Sequence, residues 1–218
     1  EGHELIERLS HGGTLPIITS CSPGWVKFIE HYYPDLLPHL STCKSPQQMF
    51  GAIAKTYYAQ KAGVDPKDMV VVSVMPCTAK KFEAQRPEMM DSGFQDVDYA
   101  ITTRELARML REASIDLAEL PEESYDDPLG QSTGAAVIFG ATGGVMEAAL
   151  RTAYEVITKK ELPKLNFEEV RGLEGIKEAT IDLDGSPLKV AVANSLSKAR
   201  VMLDKIRDGS ADFQFLEI

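Results

Sequence analysis

Cysteine is scarce in this 218-residue chain, at three in all, and tryptophan occurs once. A small, odd number of thiols spread over this length makes no disulfide framework, which leaves them for metal or redox chemistry or for simple burial. Long apolar runs are missing as well. No stretch approaches the roughly 20 apolar residues that span a bilayer, and the first residues carry neither the basic nor the apolar segment of a signal peptide. A basic excess is also absent. Lys and Arg number 23 against 33 Asp and Glu, a net charge of -10, which argues against phosphate backbones and anionic membranes as partners. His3, His11, His31 and His39 have no zinc-site spacing, and there is no internal repeat or low-complexity segment. The expectation is a cytoplasmic protein with no nucleic-acid and no membrane partner.

What is present alternates between strand-like and helix-like stretches, the pattern of an α/β fold. The length sits at the upper end of one hydrophobic core, and the expectation is two small sheet-plus-helix lobes around a cleft. Residues 15–20 read as a strand. Pro23 opens a helix through Trp25, Val26, Phe28 and Ile29 that ends at Pro34, and Ser45-Pro46 opens another through Met49, Ile53 and Tyr57 that stops near Gly63. Residues 99–102 read as a strand, followed by a helix over 103–113 with Thr103 as N-cap and Glu105 in its first turn. The acidic stretch 116–133, with Pro121 and Pro128, is the candidate boundary, giving lobes 1–120 and 134–218 joined by 121–133. A strand-like run over 135–139 then meets Gly140-Ala-Thr-Gly-Gly144 and a helix with Val145, Ala148, Ala149 and Ala153 inward. Residues 179–182 and 188–193, joined by Asp184-Gly185, read as a hairpin. A helix over 195–208, stopped by Gly209, and a strand over 213–218 complete the chain.

Residues 70–83, Val-Val-Val-Ser-Val-Met-Pro-Cys-Thr-Ala-Lys-Lys-Phe-Glu, run an apolar strand into a turn that displays a thiol and then lysines. Pro76 fixes the backbone before Cys77, and Lys80 and Lys81 bring cationic donors within a turn of the sulfur, a layout suited to an anionic metal-ligand set. The bland alternative is a strand ending in a buried Cys. The 140–144 loop resembles phosphate loops only in outline, because its spacing is neither G-x-G-x-x-G nor a Walker loop.

Taken together, Thr19-Ser20-Cys21-Ser22-Pro23-Gly24-Trp25, Met75-Pro76-Cys77-Thr78-Ala79-Lys80-Lys81-Phe82-Glu83, the intervening Lys44-Ser45-Pro46-Gln47 and the Phe139-Gly140 loop resemble the catalytic domain of iron-only (di-iron) hydrogenases. The third signature of that family would begin at Glu217-Ile218. The resemblance implies interconversion of protons and electrons with dihydrogen at an H-cluster, a 4Fe-4S cubane bridged by a cysteine to a di-iron subcluster with carbon monoxide, cyanide and a dithiolate. It implies Cys77 as a ligand, and it puts Ser22 where the family has a ligand cysteine. An alkoxide is a harder donor than a thiolate, so either Ser22 binds weakly, Cys21 shifts register to bind, or the cubane is absent. Without the third signature and upstream ferredoxin-like modules, the cluster is expected to be absent or incomplete in these residues and the chain alone inactive.

Cys21 falls in the column that hands protons to the di-iron site; a thiol, titrating at about 8.5, suits that task. By resemblance the path behind it runs through Glu1, Ser41 and Glu4 to solvent. Lys80 would hold a cyanide ligand and balance its charge, while Met75, Pro46, Gln47, Phe139 and Gly140 would line the cofactor cavity. For Met75 and Phe139 ordinary core packing is the alternative, for Glu1 and Glu4 solvated carboxylates, and for Ser41 a plain loop hydroxyl. Cys43 matches no ligand column and reads as a small buried residue. The implied partners are ferredoxin or NAD-linked redox subunits, N-terminal ferredoxin-like modules and a C-terminal segment carrying the third signature. The rival is a hydrogenase-like iron-sulfur assembly or protein-binding scaffold without di-iron catalysis. A thiol redox protein using Cys21 and Cys77 is a weaker third reading, for want of a C-x-x-C pair.

Overall fold

A computed structural model describes residues 1–130, 134–162, 168–169, 175–183 and 185–218. In chain order the elements begin with helix α1 (Gly2–His11), strand β1 (Ile17–Ile18), α2 (Pro23–Tyr32), α3 (Pro46–Ile53) and α4 (Ala59–Ala62). Next come β2 (Val72–Val74), α5 (Ala79–Ala84), β3 (Tyr99–Ile101), α6 (Thr103–Glu112), α7 (Ala135–Ile138) and α8 (Gly144–Thr158). The chain closes with β4 (Glu168–Glu169), β5 (Ile176–Leu183), β6 (Ser186–Ala193), α9 (Leu196–Asp208) and β7 (Phe215–Glu217). It divides into two compact units, Glu1–Cys43 with Ser132–Ile218, and Lys44–Gln131. The boundaries therefore differ from the expected 1–120 and 134–218. The first 43 residues join the C-terminal part because β1 pairs with β7 in parallel, Ile17 opposite Phe215 and Ile18 opposite Leu216.

The first unit is built on a five-stranded sheet in the order β1-β7-β6-β5-β4. Its strands alternate faces. Ile17, Val190, Val192 and Phe215 pack on one side with Leu5 of α1 and Met146 and Leu150 of α8. Ile18, Ala191, Ala193 and Leu216 pack on the other with Trp25 and Ile29 of α2 and Met202 and Leu203 of α9. The hairpin is longer than expected: β5 and β6 pair from Ile176 opposite Ala193 to Leu183 opposite Ser186. Asp184 of its turn lies outside the described residues, as do 131–133 of the acidic stretch.

Two local expectations are corrected. The run 135–139 is not a strand; Ala135–Ile138 form a single helical turn leading into α8. Gly144 starts α8 pressed against that turn, and a Cβ there would come within 1.9 Å of the Ile138 carbonyl oxygen. The helix then buries Met146, Ala149, Leu150 and Ala153, leaving Val145 and Ala148 only half-buried.

The second unit holds a parallel pair, β2 and β3, with Val72 opposite Tyr99 and Val74 opposite Ile101. Val72 and Val74 remain exposed, and the buried ground is largely polar, with Ser45, Gln48, Lys55, Lys80, Glu83 and Asp96. Lys55 donates to the Gln95 carbonyl at 2.7 Å and to Asp98 at 2.8 Å. Lys44 meets the buried Asp96 at 2.8 Å. The helix opened by Pro46 does reach Gly63, but through a widened π turn, Ala54–Tyr58, between α3 and α4. The cap of α6 lies one residue earlier than expected. Thr102, not Thr103, accepts the Glu105 amide, and the Glu105 carboxylate returns to the Thr102 amide. The Lys81 ammonium, 2.6 Å away, followed by the Thr102 amide and hydroxyl, holds Glu105 at about 2, so this box persists into acid. Thr102→Ala is expected to cost about 1 kcal/mol, read as a lowered urea midpoint with an unchanged slope.

Among the described residues no helix is long and apolar enough to cross a membrane.

Candidate functional site

The residues singled out by the sequence fall on both units. In the first, α1 presents Glu1 and Glu4 to the loop after β1 and to residues 41–43. Glu4 Oε2 accepts the Ser41 hydroxyl at 2.6 Å, and the Thr42 amide lies 3.1 and 3.2 Å from the two carboxylate oxygens. Arg8, one turn along the helix, donates to Glu4 Oε1 at 2.7 Å. The same guanidinium reaches the carbonyls of Thr14, Pro38, His39 and Leu40 at 3.0, 3.3, 3.4 and 2.7 Å, so it fastens α1 to two loops. The buried Ser41 is fixed in turn by its amide, which donates to Ile18 O at 2.7 Å.

Glu1 accepts the Ser20 amide at 3.4 Å. Burial pushes its carboxyl up and the Glu4 charge adds to it, against the Ser20 and Ser41 hydrogen bonds. For Glu4 burial also pushes upward, but it is outweighed by Ser41, Thr42 and Arg8, and the carboxyl sits below its usual value. Two neighbouring carboxylates thus differ in proton affinity, Glu1 being the tighter and Glu4, which accepts the Ser41 hydroxyl, the weaker. Cys43 belongs to this network rather than to inert packing. Its amide donates to Ser41 Oγ at 3.1 Å, its thiol lies 3.8 Å from Glu4 Oε2, and its carbonyl accepts Ser20 Oγ at 2.7 Å.

Cys21 follows Ser20 directly and is half-buried. Ser22 is the N-cap of α2 with extended backbone, φ -100° and ψ 111°, and its hydroxyl makes no capping hydrogen bond. Phe139 is exposed, so it is not core packing, and it lies with Gly140 on the turn between α7 and α8. That turn is closed by Glu217, which accepts the Gly143 and Met146 amides at 2.9 and 2.7 Å. Burial raises the Glu217 carboxyl, the two amides pull it back, and the nearby Glu1 raises it further.

In the second unit, Met75 continues β2 by donating its amide to Ile101 O at 2.9 Å, and Cys77 stands half-buried in the turn before α5. Lys80 is buried, with Nζ at 3.0 and 3.3 Å from the two oxygens of the equally buried Glu83. Pro46 is the exposed first residue of α3. Gln47 is held at both ends of its amide: Oε1 accepts Ser73 Oγ at 2.7 Å, and Nε2 reaches Lys80 O and Glu83 Oε2, each at 3.4 Å. Arg8 and Glu83 were missed by sequence reasoning. The signal was there in both cases, an acid and a base four and three residues apart on a helix. Among the described residues no group of three or more His, Cys, Asp or Glu is gathered to hold a metal ion.

The sequence matches the iron only hydrogenase large subunit, C-terminal domain, over residues 1–218. It is 54% identical over 224 residues to the NADP-reducing hydrogenase subunit HndD of Solidesulfovibrio fructosivorans, covering 100% of this chain and 38% of that one. It is 51% identical over 219 residues to the periplasmic [Fe] hydrogenase large subunit of Nitratidesulfovibrio vulgaris, covering 100% and 52%. A solved apo [FeFe]-hydrogenase HydA1 variant from Chlamydomonas reinhardtii superposes with a TM-score of 0.86 at 45% identity, covering 100% of this chain and 62% of that one. The cytosolic iron-sulfur assembly component 3 of Mus musculus is more distant, at 29% identity over 97% of this chain. The chain thus spans about half or less of the curated relatives it matches, and it belongs to the iron-only hydrogenase large-subunit family, in its C-terminal catalytic domain.

Proposed function

We propose that residues 1–218 form part of a hydrogenase catalytic domain that interconverts two protons and two electrons with dihydrogen, and that within it the first unit carries the proton. The observation that carries this reading is the cluster in which Arg8 and Ser41 hydrogen-bond Glu4 while Glu1 accepts the amide of Ser20, the residue before Cys21, with the Glu1 and Glu4 carboxyls shifted in opposite directions. A hydroxyl between two carboxyls is a proton switch. With its hydrogen on Glu4 it reports an ionised outer group. Once Glu4 takes a proton from solvent, Ser41 accepts that proton and passes its own to Glu1. The higher proton affinity of Glu1 then retains the proton on the inner side, beside the loop that bears the Cys21 thiol, the next acceptor. Run backwards, the same atoms export a proton.

Relatives of this family are named for an H cluster with a 2Fe subcluster, and the residues present fit part of such a group. Cys77 offers a half-buried sulfur in the turn before α5, and Lys80 is a buried ammonium suited to anionic ligands. Ser22 is a poorer iron donor than the cysteine it replaces, and the three cysteines fall short of a four-thiolate cubane. When bound, the group supplies electron transfer and the hydrogen chemistry; Cys77 would hold it and Lys80 would balance its charge. Residues 1–218 by themselves are proposed to be inactive, and the electron partner to be a ferredoxin- or NAD-linked module.

Ser22 favours a second reading, an iron-sulfur assembly scaffold, although the relatives with that name are the more distant ones. Hydrogen evolution from a reduced dye by the intact protein, matured with its cluster, separates the two. Turnover is expected. A fully matured protein with none would overturn the enzyme reading and leave the scaffold.

A further inference from the structure

Lys80 and Lys81 are neighbours in sequence with opposite circumstances. The Lys81 pair with Glu105 has side chains 40% and 42% exposed, the kind of surface contact that contributes little. The Lys80 pair has side chains 7% and 4% exposed. A lysine side chain has four rotatable bonds and presents a compact point charge, so where its ammonium lies depends on what holds it. Here Glu83 holds it with both oxygens. Glu83 is itself held: its Oε2 accepts Ser45 Oγ at 2.9 Å and Gln47 Nε2 at 3.4 Å. Ser45 does two jobs with one hydroxyl, since that oxygen also accepts the Gln48 amide as the N-cap of α3. Gln47 is anchored to β2 through Ser73. The cluster therefore ties α5 to α3 and β2, and the carboxylate at its centre has no water-exposed alternative.

We propose that Glu83 is the positioning residue for Lys80, and that Ser45 aligns Glu83, so the direction of the Lys80 ammonium is set by this buried cluster rather than by Lys80 alone. The inference rests on the role given to Lys80 under the proposed function and deepens it. A buried ammonium needs its counter-charge, and a neutral isostere at position 83 offers a single acceptor oxygen in place of two. Gln47, on this account, spends its amide inside the cluster and serves as a second prop for Glu83.

The test uses the intact, matured protein with Glu83→Gln, Ser45→Ala and Lys80→Met. Infrared bands of the cluster's cyanide ligands and hydrogen turnover are both recorded. Glu83→Gln is expected to shift the cyanide bands and lower turnover by about 10- to 100-fold, the range for groups that orient a residue touching a metal group. Ser45→Ala, which keeps the carboxylate, is expected to do the same to a smaller extent. Adding Lys80→Met to Glu83→Gln should change little more, because the two act as one unit. A readout without the cluster is acylation of Lys80 by an amine-reactive reagent, followed by peptide mass in the unmatured protein; it is expected to speed up in Glu83→Gln. Unmoved bands, unaltered turnover and unchanged acylation in Glu83→Gln, with Lys80→Met shifting bands and turnover, would overturn this inference and keep Lys80. If Lys80→Met itself leaves bands and turnover intact, both the role of Lys80 and the inference fall.

Discussion

Glu1→Gln in the intact protein is expected to cut hydrogen turnover by about 10²- to 10⁴-fold, the span for loss of a general acid-base group, and yet to make the fold more stable at neutral pH. The second half follows from the sign of the shift. Burial raises the Glu1 carboxyl in the folded state, so the folded protein binds this proton more tightly than the unfolded chain does. Stability is then greatest below the unfolded value and falls as pH rises through the folded one. Glutamine cannot ionise and is spared that loss. Glu4 has the opposite sign. Its carboxyl is lowered because Ser41, Thr42 and Arg8 outweigh burial, so its stabilisation is present above the unfolded value and disappears as pH falls through the folded one. Glu4→Gln is expected to stop the relay to a similar extent while lowering stability at neutral pH. Urea unfolding across pH, alongside hydrogen evolution, checks both. Stability changes of the same sign, or an undiminished rate in Glu1→Gln, would remove the relay from this pair.

The largest structural effect is expected at Phe215. It is 0% exposed on β7, the strand between β1 and β6 in the five-stranded sheet, on the face shared with Leu5, Ile17 and Met146. Phe215→Ala removes a large ring from the core between this sheet face and helices α1 and α8 and is expected to cost about 3–5 kcal/mol. That is a large share of the roughly 5–15 kcal/mol that holds a domain folded. Urea unfolding should show a much lower midpoint, whereas an unchanged one would mean that the sheet closes over the gap.

Where the chain punctuates itself, its fold was legible. Pro23 and Pro46 open α2 and α3, and Gly63 and Gly209, at φ 68° and 77°, close α4 and α9. Short apolar runs were not. Residues 135–139 fit a strand or a turn of helix equally by pattern, and Ala135–Ile138 form a helical turn against which Gly144 packs so closely that a Cβ there would meet the Ile138 carbonyl oxygen. The joining of β1 to β7 was equally hidden, because a pairing across almost the whole chain leaves no local trace. At the candidate site, the motif pointed to Cys77 and Lys80 through residue identity. The residues that hold Lys80 and Glu4 in place, Glu83 with Ser45 and Arg8, act by geometry, which identity alone does not reveal.

Thr19 is wholly buried and touches the sheet edge and α2 at once. Its amide donates to Leu216 O at 3.0 Å, its hydroxyl accepts the Ile218 amide at 3.2 Å, and its carbonyl accepts the Trp25 indole at 2.8 Å. The two residues after it, Ser20 and Cys21, therefore start from a fixed post. On the relay proposed above, a carrier mounted this way needs no closing movement to become competent: its alignment is settled when the chain folds, and each passage of hydrogen ions would meet the same track.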